Sequence, residues 1–277
     1  MLTDVTKCIG CERCVEACTR KNKLPRDFLT HFRSDDGLSA NRFTSIVKKR
    51  NEATGNWHMV RKHCMHCIDP SCAAACLVGA FSKTPDGAVE YDADMCIGCR
   101  YCMLACPFTI PRYEYGEPIP YVRKCKMNDE CRVEGGQPAC VSACPTGATI
   151  YGTRDDLLKV ARKRISENPG KYVDHIYGEH EFGGTSVIYI SDIPIGSVLD
   201  MPTAQEFEKM RLPQLTHQSI PKMVEPWVFV TPVQFFTVSA GLAGIWLFRR
   251  RSKLMNAKKD KEPNSASGGK EENDGKQ

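Results

Sequence analysis

Sixteen of the 277 residues are cysteine, and all sixteen fall between Cys8 and Cys144. They form four groups of four: Cys8, Cys11, Cys14 and Cys18; Cys64, Cys67, Cys72 and Cys76; Cys96, Cys99, Cys102 and Cys106; Cys125, Cys131, Cys140 and Cys144. Groups one and three share the spacing C-x2-C-x2-C-x3-C, and groups two and four are looser versions. Three chemistries compete for such thiols. Disulfides are the default for an exported protein, but repeated C-x2-C steps within one loop are a poor geometry for staples. Structural zinc also uses C-x2-C pairs, yet takes four ligands from two knuckles rather than runs of three plus one. Iron–sulfur cubanes take three thiolates from one run and a fourth from another, and the spacing favours them. No C-x-x-C-H occurs, so no covalent c-type haem is expected.

The spacing dictates local structure. Three thiolates two residues apart need a tight loop. The fourth lies three residues on, where the chain turns into a helix and the thiol points away. Gly10 and Gly98 have no Cβ, which lets backbone N–H groups approach sulfur. Pro107 and Pro145 fix the chain direction after the last cysteine; group two has Leu77 there. His63 and His66 flank group two and read as surface residues or neighbours of the ligands, not as ligands. Lys7, Lys62 and Lys124 each precede a group's first cysteine. They would raise a local potential, or they are ordinary surface lysines.

Outside the groups, residues 19–63 form an insert. FTSIVKKR and NWHMVRKH read as hairpin strands joined by NEATGN, expected to cover the metal sites or meet a catalytic partner. Thr153 to Ile165 reads as a helix capped by Thr153, with Leu157, Ala161 and Ile165 as its apolar stripe and Lys159, Arg162, Lys163 and Arg164 as its wet face. Thr185 to Ile190 reads as a strand. Residues 191–225 are rich in proline and expected to run along a partner toward a membrane. Net charge is only +5, which gives no argument for nucleic acid. No nucleophile–base pair or phosphate loop is evident, so the chain is expected to conduct electrons rather than catalyse.

No charged residue occurs between Glu225 and Arg249. The run Pro226 to Phe248 is long enough to cross a bilayer as one helix. Residues 249–268 carry seven Lys+Arg against three in 206–225, which puts the C-terminus in the cytoplasm. Small residues at Ser239, Ala240, Ala243 and Gly244 offer a packing face, or occur by chance. The N-terminus lacks the pattern of a signal peptide. Export with a partner, retention inside the cell and numbering from a mature end are all open on this reading.

The groups, their order, and the strings GCRYCMLACPFTIPRYEY, GGQPACVSACPTGATIYGTRDDLL and HIYGEHEFGGTSVIYI resemble the four-cluster iron–sulfur subunits of membrane-bound respiratory complexes. The resemblance is nearest to the subunit of Hyb-type quinone-reducing nickel–iron hydrogenases, and extends to the formate dehydrogenase-N beta subunit. It implies an α+β fold of two ferredoxin-like double-cubane halves with a C-terminal single transmembrane helix. The implied layout is a four-cluster domain over 1–150, an extension over 151–225, the span at 226–248 and a disordered cytoplasmic tail over 249–277. It implies four [4Fe-4S] clusters with the ligand sets Cys8, Cys11, Cys14 and Cys144; Cys18, Cys125, Cys131 and Cys140; Cys64, Cys67, Cys72 and Cys106; and Cys76, Cys96, Cys99 and Cys102. One departure stands out. The family has C-x2-C at the start of group four, whereas here Asn128 fills that slot and Cys131 follows. Implied partners are a large catalytic oxidoreductase subunit and an integral quinone-handling subunit, of Hyb/Nrf type or a cytochrome b. The implied location is the inner membrane, with the cluster domain on the periplasmic side. A zinc-stabilised membrane-anchored binding module and a free-standing tethered ferredoxin are the competing expectations.

Overall fold

The computed structural model describes residues 1–25, 36–50, 55–115, 120–195 and 219–259. Residues 26–35 of the insert, residues 51–54 of the hairpin turn, most of the proline-rich stretch (196–218) and the tail at 260–277 lie outside them. The chain divides into two units, Met1–Met223 and Val224–Gln277.

In the first unit, β1 (Leu2–Asp4) is the middle strand of a three-stranded sheet. It runs antiparallel to β8 (Thr149–Ile150) and parallel to β9 (Ile188–Ile190), with Leu2 opposite both Ile150 and Ile188. Helix α5 (Arg154–Glu167) packs on this sheet through Leu157, Leu158 and Ala161, which meet Leu2, Ile176, Ile188 and Ile190 in one apolar cluster. Thr153 caps it, its Oγ1 accepting from the Asp156 N–H at 3.4 Å. The expected wet face holds for Lys159, Arg162 and Lys163 but not for Arg164. That guanidinium reaches the fully buried Asp4 carboxylate at 3.1 Å, which also accepts from Tyr172 Oη at 3.0 Å. A buried carboxylate must be paired, and the helix supplies the partner.

The expected insert hairpin is β2 (Thr44–Arg50) and β3 (Trp57–His63), antiparallel in register from Thr44↔His63 to Arg50↔Trp57. Four short helices carry or flank cysteines: α1 (Arg13–Lys21), α2 (Ser71–Ala74), α3 (Tyr101–Ala105) and α4 (Ala139–Ser142). Helix α1 contacts α4 and α2 contacts α3. The chain thus nests its second and third cysteine groups between its first and fourth. Two small hairpins, β4 (Phe81–Lys83) with β5 (Val89–Tyr91) and β6 (Arg112–Tyr113) with β7 (Val122–Arg123), complete this unit's strands among the described residues.

The expected strand Thr185 to Ile190 is only half strand. Ser186 and Val187 donate their N–H groups to His66 O and Met65 O (3.0 and 3.2 Å), so the chain pairs with the group-two loop before joining β1. The preceding loop is pinned by Glu181, which accepts from Gly178 N at 2.7 Å and faces His175 Nε2 at 2.6 Å. The hydrogen bond to Glu181 raises the His175 imidazole above its ordinary value of 6.5. Burial pushes the Glu181 carboxyl up, but His175 and the backbone N–H groups outweigh it and leave it below its ordinary 4.5. The sign follows from linkage. The histidine's contribution is complete below 6.5 and lost as pH rises through its raised folded value, while the carboxylate's is complete above 4.5 and lost in more acid solution. Between those limits the loop is held best. His175→Ala is expected to flatten the loss of thermal stability on the alkaline side, by less than about 1 kcal/mol because His175 is half exposed and solvent-screened. Melting curves from pH 5 to pH 8, pH values spanning the ordinary histidine range, check this. A slope unchanged in the variant would refute it.

In the second unit lies most of α6 (Ile220–Lys259). Its stretch Val228–Ser252 has mean hydropathy 1.6 and none of its apolar window is buried, with Phe229, Phe235, Phe236, Leu242 and Phe248 all exposed. It is long and apolar enough to cross a membrane. The helix exceeds the run expected at 226–248 at both ends. Residues 249–259, expected to belong to a disordered tail, are helical. Their sequence, RRRSKLMNAKK, is rich in strong helix formers, and extending an existing helix costs no new nucleus.

Candidate metal centre

All sixteen cysteines are free thiols. Cys11 and Cys99 are exposed; the other fourteen are buried or half-buried. The loops that present them are held by left-handed backbone. Gly10 and Gly98 have φ of +68° and +73°, and a Cβ on Gly98 would stand 2.9 Å from Tyr113 Oη. Two residues later Glu12 and Arg100 are also left-handed (57° and 63°) and start α1 and α3. Those helices begin one residue before the third cysteine. Cys14 and Cys102 therefore sit on helix, where the spacing had placed them on the loop.

The neighbours of each thiol follow from what perturbs it. Burial pushes Cys8 up, and Cys144 and Cys11 add to it. Burial takes Cys14 to about 11, with Cys140, Cys8 and Cys144 adding to it. Cys18 reaches about 12 by burial and through Cys140 and Cys131, while Cys125 rises beside Cys18, Cys140, Cys64 and Cys131. Cys67 and Cys72 rise by burial, with Cys64 and Cys106 beside both. Cys102 goes to about 11 by burial, with Cys96, Cys99 and Cys76 beside it. Cys144 is the exception. Burial raises it, but N–H groups of Thr149, Ala148 and Thr146 and the Thr146 hydroxyl outweigh burial and favour the thiolate.

Electrostatic influence between these neighbourhoods runs in one order: Cys140 acts on Cys14, Cys64 on Cys125 and Cys102 on Cys72. One cavity is lined by Cys18, Cys125, Cys131 and Cys140 together with Arg61 and Asn22. Cys131 ends a single 3-10 turn, Asp129–Cys131, that brings it there. Asn128 lines a different cleft, beside Glu90, Asp92 and Lys126.

The donor set fits iron–sulfur clusters. Zinc at ~2.3 Å from each ligand would draw its four donors to within about 4 Å of one another. Among the described residues no three Cys, His, Asp or Glu converge tightly enough for a single metal ion. Cubane ligands stand further apart, one per iron, and accept hydrogen bonds on sulfur. Such donors are present: Ala80 N on Cys76 (3.2 Å), Gly98 N on Cys96 (3.4 Å), Asn22 Nδ2 on Cys18 (3.5 Å) and Arg61 Nη2 on Cys140 (2.9 Å).

Two stretches, residues 7–80 and 55–154, each match the model of a 4Fe-4S dicluster domain. The chain is 38% identical over 239 residues to the hydrogenase-2 operon protein HybA of Escherichia coli O157:H7, covering 73% of this chain and 72% of that protein. The chain belongs to the 4Fe-4S dicluster family of iron–sulfur subunits. It is also 36% identical over 198 residues to the iron–sulfur subunit of the nitrate-inducible formate dehydrogenase of E. coli, covering 68% of this chain and 66% of that subunit. A protein of Nitratidesulfovibrio vulgaris is 45% identical over 205 residues; the match takes in 71% of this chain and spans only 55% of that protein. Two dicluster domains make four [4Fe-4S] clusters in this subunit, matching its sixteen cysteines.

Several residues of the dicluster chain stand differently from their sequence reading. His63 and His66 are fully buried, not superficial, and burial drives both imidazoles well below their ordinary value. His66 Nδ1 accepts from Val89 N at 2.9 Å. Lys62 and Lys124 are buried as well. Lys62 pairs with Asp36 at 3.0 Å, and Lys124 donates to the carbonyls of Val89 and Cys125. Lys124 ties the hairpin β4–β5 to the group-four loop, while Lys62 and Asp36 join two parts of the insert. Arg61 drew no notice in the sequence. The signal was the period-two alternation of HMVRKH, which puts Met59, Arg61 and His63 on one strand face.

Proposed function

We propose that this subunit relays single electrons between a catalytic oxidoreductase subunit and a quinone-handling membrane subunit, and catalyses no bond chemistry itself. The sixteen thiolates are its cluster ligands, in the four sets Cys8/Cys11/Cys14/Cys144, Cys18/Cys125/Cys131/Cys140, Cys64/Cys67/Cys72/Cys106 and Cys76/Cys96/Cys99/Cys102. When bound, the clusters supply one-electron steps with little rearrangement. The chain buries the set Cys18/Cys125/Cys131/Cys140, half-buries Cys64/Cys67/Cys72/Cys106, and leaves one exposed thiol, Cys11 or Cys99, in each outer set. The observation that carries this reading is the convergence of Cys18, Cys125, Cys131 and Cys140 on one cavity, within electrostatic reach of Cys14 of the first group and Cys64 of the second. Helix α6 anchors the subunit in the inner membrane as a single pass. Its Arg249, Arg250 and Arg251 stay cytoplasmic, and the cluster domain is periplasmic. The named hydrogenase and formate dehydrogenase relatives support a respiratory partner of that kind.

Anaerobic isolation tests the cofactor: about 16 iron and 16 acid-labile sulfide per chain are expected, and zinc without sulfide would overturn the reading. Purification in mild detergent tests the partners, since a large catalytic chain and an integral chain should come with it. Deleting residues 226–277 is expected to move the chain from membrane to soluble fraction with its iron intact. Continued membrane binding would remove α6 as the anchor.

A further inference from the structure

Arg61 is a buried charge inside the cysteine-rich unit. It is 2% exposed, on strand β3, and among the described residues no carboxylate pairs with it. Its Nε donates to Thr44 Oγ1 at 3.1 Å, its Nη2 donates to Cys140 Sγ at 2.9 Å, and Nη1 is buried with no protein partner. A guanidinium stays protonated even when buried. A buried cation without a counter-charge is strongly unfavourable, so something anionic must face it. What faces it is sulfur: it lines the cavity with Cys18, Cys125, Cys131 and Cys140, and it is felt by Cys8 and Cys14 of the adjoining set.

We propose that Arg61 is the shared counter-cation of the two clusters built on the first and fourth cysteine groups, and that it raises the reduction potential of both. This rests on the four-cluster reading above. A cluster with four thiolates is net anionic and more so when reduced, so a fixed cation beside it favours the reduced form. The Nη2–H bond to Cys140 withdraws charge from that thiolate, and Nη1–H is the donor left over for the bound group. Strand β3 belongs to the insert, so the insert brings a charge into the core rather than only covering it. Tyr189 Oη, donating to Arg61 O at 2.8 Å, and the full length of the β2–β3 ladder hold the strand in place.

The test is a redox titration of the full-length chain followed by EPR, after iron and sulfide have been counted. In R61Q, two of the four clusters should show at least a tenfold lower reduced-to-oxidised ratio at fixed potential, about 59 mV for one electron. R61K should recover most of that shift. With iron content intact, four unchanged potentials would overturn the proposal, and so would an equal fall in all four. A wild-type chain without about 16 iron would instead refute the four-cluster reading, before any titration. If R61Q retains no iron, wild-type chain labelled with 15N-arginine decides. Pulsed EPR of the reduced clusters should show an arginine-nitrogen coupling that R61K removes. Its absence, or its survival in R61K, overturns the assignment.

Discussion

A chain carrying Cys131→Ser is expected to lose one cluster of four, about four of its sixteen irons and four of its sixteen sulfides, while Asn128→Ala keeps them all. The argument is geometric. In group four the second thiol arrives six residues after Cys125 instead of three. The 3-10 turn Asp129–Cys131 takes up the extra residues and delivers Cys131 to the cavity shared with Cys18, Cys125 and Cys140. Asn128 stands at the turn's start and lines another cleft, with its carbonyl accepting from Cys131 Sγ at 3.2 Å. A serine hydroxyl ionises far less readily than a thiol, so it makes a poor fourth corner. EPR of the reduced chain, with iron and sulfide assays, reads the result. Intact clusters in Cys131→Ser together with a missing one in Asn128→Ala would reverse the assignment.

That slot also shows what the residues alone could reveal. Cysteine count and spacing announce the chemistry, because a cubane needs three thiols from one short loop and little else there. Hairpin β2–β3 and helix α5 are equally legible, one from alternation and the other from its cap and stripe. Burial of charge is not legible. Lys62 looks like any surface lysine until Asp36, brought back from the other side of β2, meets it. Arg164 sits within a basic run that solvates its neighbours, yet its own partner, Asp4, comes from the far end of the chain. Arg61 has no carboxylate partner among the described residues to betray it; the thiols that act on it, Cys140, Cys14 and Cys125, come from the first and fourth groups. Each of these depends on contacts distant in sequence, which local pattern does not encode.

Removing the clusters with a chelator under anaerobic conditions is expected to unfold most of the first unit but leave one part standing. The apolar clusters divide by sulfur. The largest includes Cys18, Cys125 and Cys140, and the one around Phe81, Val89 and Tyr113 includes Cys102. The cluster of Leu2, Leu157, Leu158, Ala161, Ile176, Ile188 and Ile190 contains none. Helices α2, α3 and α4 have four, five and four residues and α1 has nine, all below the length at which a helix holds itself in water. On the proposed ligand sets a shared cluster fixes them, and the free energy of binding it is then free energy of folding. Amide hydrogen exchange should accelerate at least about a hundredfold across α1, α2, α3 and α4, ~2.7 kcal/mol of opening free energy, with far less change in α5 and β9. The stripped chain should also fail in alkaline solution. Burial takes Cys18 and Cys72 to about 12 from an ordinary 9, so their folded thiols stay protonated where the unfolded ones ionise. Whatever structure these neutral thiols permit is complete below pH 9 and is lost as pH rises toward 12. If exchange in α1 and α4 stayed as slow as in α5 after the iron was gone, apolar packing alone would hold the cysteine loops, and the clusters would be cargo rather than part of the core.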